Sequence, residues 1–320
     1  MHDLTEIPFF TELKDSQRIL IAGAGGGFDI YSGLPLYFAL KQAGKEVFLA
    51  NLSFTYLKST TSEEVFEGCR LVKAGDRITN GINYFPEKYL ANWFQSEKNE
   101  SVSIYAFELA GVLAIRHIYE QIVTQNQIDT IILADGGTDS LMTGDEEELG
   151  TPLEDSCSLV AISQLSVKKK LLACLGFGVD KFHGVSHYRF LENTAKIVED
   201  GGFLGSFHLM STMPEVQAYI SAVEYVNQRM DKQSIVSNSI VSALEGKYGN
   251  YHRTSHTLGS QLWINPLMSM YWCYHIENVV KNLKYRSLIA NTVTRGQLNM
   301  AIYNYRQSLT TIRETKPIPV

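Results

Sequence analysis

Residues 18–29 read Arg18-Ile19-Leu20-Ile21-Ala22-Gly23-Ala24-Gly25-Gly26-Gly27-Phe28-Asp29. An apolar run passes directly into four glycines within five positions, then into an acid at the head of a helix-like segment. A buried strand feeding such a turn gathers bare backbone N–H groups at a helix N-terminus. That is how α/β folds hold anions, phosphates above all. Gly23, Gly25, Gly26 and Gly27 are therefore expected to bind a ligand, and Asp29 to take a ligand hydroxyl or a metal.

Outward from this turn, strand-like and helix-like segments alternate. Residues 19–22, 46–52, 101–105, 129–134 and 169–175 read as strands, and 31–43, 86–95, 108–123 and 151–165 as helices. Gly44 sits where a C-cap glycine belongs, and Pro86 falls at a first helical position. Near-continuously apolar strands separated by helices predict a Rossmann-like α/β fold, with a mainly parallel sheet and helices on both faces. After a last strand at 203–210 the pattern turns helical, at 214–230, 234–245 and 297–311. Residues 248–261 read as a loop, and the aromatic-rich 263–288 is expected to pack on the core. With no Pro- or Gly/Ser-rich linker and no repeat, one domain over 1–320 is expected, Rossmann-like to about 210 and helical beyond.

The glycine turn begins like a dinucleotide fingerprint, G-x-G-x-x-G, but Phe28 occupies its third position. The acid the fingerprint wants at the end of the second strand is missing, since that strand ends Leu49-Ala50-Asn51. Both departures weigh against NAD. No Gly-Lys-Ser/Thr follows, so the turn is not a P-loop.

A second strand ends the same way, in Asp135-Gly136-Gly137-Thr138-Asp139. Ligands in open α/β sheets sit at the carboxyl ends of strands. If the two strands are neighbours, Asp29, Asp135 and Asp139 converge, with Gly136, Gly137 and Thr138 as further ligand contacts. Carboxylates at a common site hold Mg²⁺ through hard oxygen ligands, or divide acid and base roles. Further on, Thr151-x-x-Glu154 with Pro152 reads as a capping box, and Glu146 to Glu148 as a solvated bend. Asp145, after Gly144, stays a catalytic candidate beside Asp135 and Asp139.

The GGGFD turn and the block DGGTDSLMTGDEEELGTPLEDS together resemble the domain of unknown function 1152 family. That family has a Gly-Gly-Gly-Asp loop and a later D-x-G-x-D, G-D-E, S/T-P-L-x-D block. Phe28 before Asp29 departs from it. The resemblance covers roughly the first 200 residues. It implies the fold and the place of the site, and carries no activity.

His183-x-x-x-His187 and His252-x-x-x-His256 have i, i+4 spacing but no H-E-x-x-H. His187 is kept as a candidate base, on the same sheet edge as the acids. No G-x-S-x-G elbow is present, which disfavours a Ser hydrolase. Tyr271-Trp272-Tyr274 reads as core or as an oligomer surface, which makes a homo-oligomer a candidate assembly.

A net charge of −6 leaves no basic field for nucleic acid. The four cysteines, at 69, 157, 174 and 273, are too scattered for a disulfide framework or zinc ribbon and are expected to be buried thiols. The acidic start at residues 1–6 does not read as a signal peptide, and no apolar run reaches a membrane span. A cytoplasmic protein is expected. The leading function is a hydrolase or group transferase for a small anionic or nucleotide-like metabolite, with Mg²⁺ as the candidate cofactor. A non-catalytic nucleotide sensor and an NAD-dependent enzyme are the rivals.

Overall fold

The structure is a computed structural model that describes residues 3–79, 81–254, 257–259 and 262–318. Eleven strands are present among these residues: β1 Arg18–Gly23, β2 Glu46–Ser53, β3 Glu63–Phe66, β4 Cys69–Val72, β5 Ile104–Glu108, β6 Thr130–Gly136, β7 Lys169–Leu175, β8 Phe203–His208, β9 Gly249–Asn250, β10 Trp263–Ile264 and β11 Met270–His275. Nine of them form one sheet in the order β3-β4-β5-β2-β1-β6-β7-β11-β8, while β9 and β10 form a separate ribbon. The centre, β5-β2-β1-β6-β7, is parallel throughout. β4 and β11 run antiparallel to it.

Successive residues of the central strands point to opposite faces, and both faces are buried. Ile19, Ile21, Ile132, Ala134, Leu171 and Ala173 enter one apolar cluster. Leu20, Ala22, Ile131, Leu133, Leu172 and Cys174 enter the other. The first is covered by α1 (Pro8–Glu12), α2 (Asp29–Ser32), α3 (Leu34–Gln42), α4 (Pro86–Glu97), α8 (Pro214–Asn227) and α9 (Ile235–Leu244). The second is covered by α5 (Val112–Asn126), α6 (Pro152–Ser163), α7 (His187–Glu199), α10 (Ile276–Asn282), α11 (Arg286–Ile289) and α12 (Arg295–Ser308). Covering both faces is why the middles of these strands are apolar in unbroken runs rather than at every second position.

Several boundaries differ from the sequence pattern. The helix expected over 31–43 is broken into α2 and α3 at Gly33. A side chain there would meet the Ile21 methyl at 2.6 Å, so the glycine lets the helix turn lie directly on β1. The strand expected at 101–105 runs instead over Ile104–Glu108, because its backbone pairs with Leu49–Ser53 of β2 to the end. The hairpin β3–β4 has no counterpart in the sequence pattern. The aromatic stretch after Trp263 does pack in the core, with Tyr271 and Tyr274 fully buried, but as β11, inserted between β7 and β8. Its residues, MYWCYH, show no helix or strand period because both neighbours and both faces are occupied.

All four cysteines are buried free thiols. No helix among the described residues is long and apolar enough to cross a membrane.

The chain leaves β1 toward β2 and β5 on one side, then returns to add β6 and β7 on the other. The loops after β1 and β6 therefore diverge, and a crevice opens between the carboxyl ends of these two neighbours. This is the topological switch point at which open α/β sheets bind ligands.

Candidate functional site

The glycine turn closes one side of the crevice. Ala24 N–H donates to Ala134 O at 2.9 Å, and Gly27 N–H to Leu52 O at 2.9 Å, tying the turn to β6 and β2. Gly26 and Gly27 have φ of +91° and +61°, where side chains other than glycine's are strained. Gly25 N–H donates to Asp29 Oδ2 at 2.6 Å. Three N–H groups of the expected anion cradle are thus engaged within the protein, one of them by a carboxylate. Asn51, in the place of the missing acid, donates to Gly27 O and to Glu87 Oε1, both at 2.8 Å, and so holds the turn from below. Burial pushes the Glu87 carboxyl up to about 7.

The loop after β6 closes the other side. Asp135, buried near the end of the strand, accepts a hydrogen bond from Ser140 Oγ. Thr138 N–H donates to Asp180 Oδ2 at 2.6 Å. A side chain on Gly137 would meet that carboxylate at 2.7 Å, so the loop passes Asp180 as bare backbone. Asp139 Oδ2 accepts from Thr151 N–H and lies 2.7 Å from Thr151 Oγ1, which is also 2.9 Å from Asp155 Oδ2. The single hydroxyl proton of Thr151 can serve only one of these two carboxylates at a time.

One oxygen from each of Asp29, Asp135 and Asp155 lies within 4.8 Å of the other two. Asp155 is 3% exposed, and its Oδ1 has no hydrogen-bond partner. That oxygen points at the glycine turn, for a side chain on Gly25 would meet it at 2.5 Å. Ser32 Oγ, equally buried, is also without a partner. The three carboxylates, with Asp139 and Asp180, line a cleft of about 180 Å³, whose outer wall includes Phe28, Phe54, Tyr84 and His183.

Burial and mutual repulsion raise Asp29, Asp135, Asp155 and Asp180 together. Asp135 is pushed up to about 7 by burial first and Asp139 second. Asp29 rises by burial and Asp135, and Asp155 and Asp180 by burial and Asp139. A buried carboxylate cluster of this kind is costly without a counter-charge.

Asp145 is not part of the cluster. Burial raises its carboxyl, but hydrogen bonds from Lys284 and Arg313 outweigh burial and hold it at about 2. It is a partner in an ion-pair clamp with Lys284 and Arg313. His187 opens α7 and packs edge-on to Phe177, with burial lowering its pKa. His183, at the end of the preceding 3₁₀ turn, is the histidine at the cleft. Gly184 (φ +83°) separates the two, so they share no helix face, and His256 lies outside the described residues.

The capping box is not formed, since Thr151 makes no cap bond and gives its hydroxyl to the acids. That motif hid Asp155, the second acid of the same first turn. Asp180 gave no signal in its own segment, but its place just after a β7 strand end could have raised it. Glu146, expected in a solvated bend, is instead buried and accepts from Thr143 and Gly144 N–H.

Fold and cleft together define a Rossmann-like α/β protein with an acidic pocket at its switch point. The model of the family described as "Protein of unknown function (DUF1152)" matches residues 62–307. The chain belongs to this family. The match reaches into α12, well past the first 200 residues, and begins after the glycine turn. No curated protein and no solved structure matches the chain.

Proposed function

We propose that the protein is a divalent-cation-dependent hydrolase or group transferase acting on a phosphorylated, nucleotide-like metabolite. The observation that carries this reading is the Asp29–Asp135–Asp155 triad, with its orphaned Asp155 oxygen aimed into the cleft. A pocket walled by five carboxylates repels a bare anion. A hard dication neutralises the acids and offers its open positions to a phosphate oxygen, as Mg²⁺ does when bound through a few carboxylates. In this reading Asp155, rather than the expected Asp139, is the third ligand beside Asp29 and Asp135. The metal would polarise the phosphoryl group or activate water. Asp139 and Asp180, at the same cleft but outside the triad, would receive the proton.

Titration calorimetry with Mg²⁺ and Mn²⁺ tests this. Wild type is expected to bind one or two ions saturably. Asp155→Asn and Asp29→Asn are expected to weaken binding at least tenfold, while Asp139→Asn keeps it. Absence of saturable binding at millimolar metal, or unchanged binding in Asp155→Asn, would refute the reading.

A further inference from the structure

A second hollow, of about 510 Å³, lies beside the acidic cleft on the β2 side. Its floor is the carboxyl ends of β2 and β5, where Ser53 and Glu108 are register partners. Phe54 lines both hollows, so the two are adjacent across its ring. Phe54 and Tyr56 are 52% and 57% exposed. Two large rings are therefore left in water, two residues apart, on a strand-end segment. Glu154 of α6 faces this hollow, while the next residue, Asp155, serves the triad. Arg295, the exposed first residue of α12, completes the wall.

We infer that this hollow is the nucleoside subsite of the ligand whose phosphates meet the metal. Phe54 and Tyr56 take the base, Glu108 and Glu154 take the sugar hydroxyls, and Arg295 closes the outer side. The inference rests on the metal–phosphate reading of the cleft.

Exposed rings offer π-faces on which any base can stack, and a guanidinium adds to such a stack. Dinucleotide folds hold the ribose with an acid at the end of the second strand. Here that strand offers Asn51, which is spent on the glycine turn, but β5 ends beside it in Glu108. Leu57 N–H donates to Glu108 Oε1 at 2.8 Å and fixes that carboxylate at the hollow. Finally, two strand spacings separate β1 from β5, roughly 10 Å. A ribose carrying a diphosphate covers that span.

The test is calorimetry on the full chain with Mg²⁺ alone, Mg-pyrophosphate, and the magnesium complexes of ADP, GDP, CDP and UDP. At least one nucleoside diphosphate is expected to bind tenfold or more tightly than pyrophosphate. Phe54→Ala, Tyr56→Ala and Arg295→Ala are each expected to remove threefold or more of that advantage. Tyr56→Ala and Arg295→Ala, which do not line the acidic cleft, leave Mg-pyrophosphate binding unchanged. Equal affinity for pyrophosphate and every nucleotide, or an advantage unmoved by Tyr56→Ala and Arg295→Ala, overturns the inference. Should wild type bind neither metal nor pyrophosphate, the reading of the cleft fails instead. The hollow is then judged with the four free nucleosides: saturable binding lost in Tyr56→Ala upholds it, and no binding rejects it.

Discussion

Replacing Asp135 by asparagine is expected to stabilise the metal-free protein increasingly as pH rises. The carboxyl stands at about 7 in the fold against an ordinary value of 3.8. A raised acid pKa means that the folded chain binds the proton more tightly than the unfolded chain. Its stabilisation is complete below pH 3.8 and is lost as pH climbs through about 7. Raising an acid's pKa by one is worth about 1.4 kcal/mol, so the whole span amounts to roughly 4 kcal/mol. Somewhat under half of that is already lost by pH 5, leaving about 2–3 kcal/mol to be lost between pH 5 and pH 8. Asparagine cannot ionise, and its carbonyl still accepts the Ser140 hydroxyl. Whatever fixed cost the substitution carries cancels when variant and wild type are compared across pH. Urea unfolding of both proteins at pH 5 and pH 8 in EDTA should show the variant gaining about 2–3 kcal/mol relative to wild type. With Mg²⁺ present at pH 8 the order should reverse, because ligand stabilisation belongs to the intact triad. A pH-independent difference, or a variant that loses ground toward pH 8 in EDTA, would refute the account of the cluster as unneutralised charge.

Two further substitutions probe the walls of the site. Gly25→Ala places a methyl 2.5 Å from Asp155 Oδ1 and 3.0 Å from Asp29 Oδ2. It is expected to cost about 1–3 kcal/mol of stability and to weaken Mg²⁺ binding at least tenfold. Calorimetry showing wild-type affinity would mean that the triad does not hold the ion. Asp145→Ala breaks the clamp to Lys284 and Arg313, which is partly open to solvent. A loss of about 1–2 kcal/mol near neutral pH is expected, with metal binding intact. Because the fold depresses this carboxyl, its contribution is present above pH 3.8 and fades as pH falls through about 2. A variant that instead lost metal affinity at unchanged stability would return Asp145 to the site.

Local sequence was enough for the α/β architecture and for the two loops that face each other. Apolar strands ending in glycine and acid are a local signature, carried by backbone sterics and by the need to bury both sheet faces. Asp135 was legible because it stands near the end of such a strand, and Asp29 because it heads the helix that follows the glycine turn. The rest depended on distant parts of the chain. Asp155 sits 126 positions after Asp29 (155 − 29) and joins it only because α6 packs beside the switch point. Its neighbourhood read as a helix cap, and only the tertiary approach of Asp139 draws Thr151 away from capping. Asp145 looked like another site acid, but the far C-terminal residues Lys284 and Arg313 fold back on it. β11 enters the sheet by pairing with residues at least 62 positions earlier (270 − 208), which no local period records. Each segment's own residues limit what it can become. Which carboxylates end up within reach of one ion is decided by packing, since only the folded sheet brings their oxygens together and away from water.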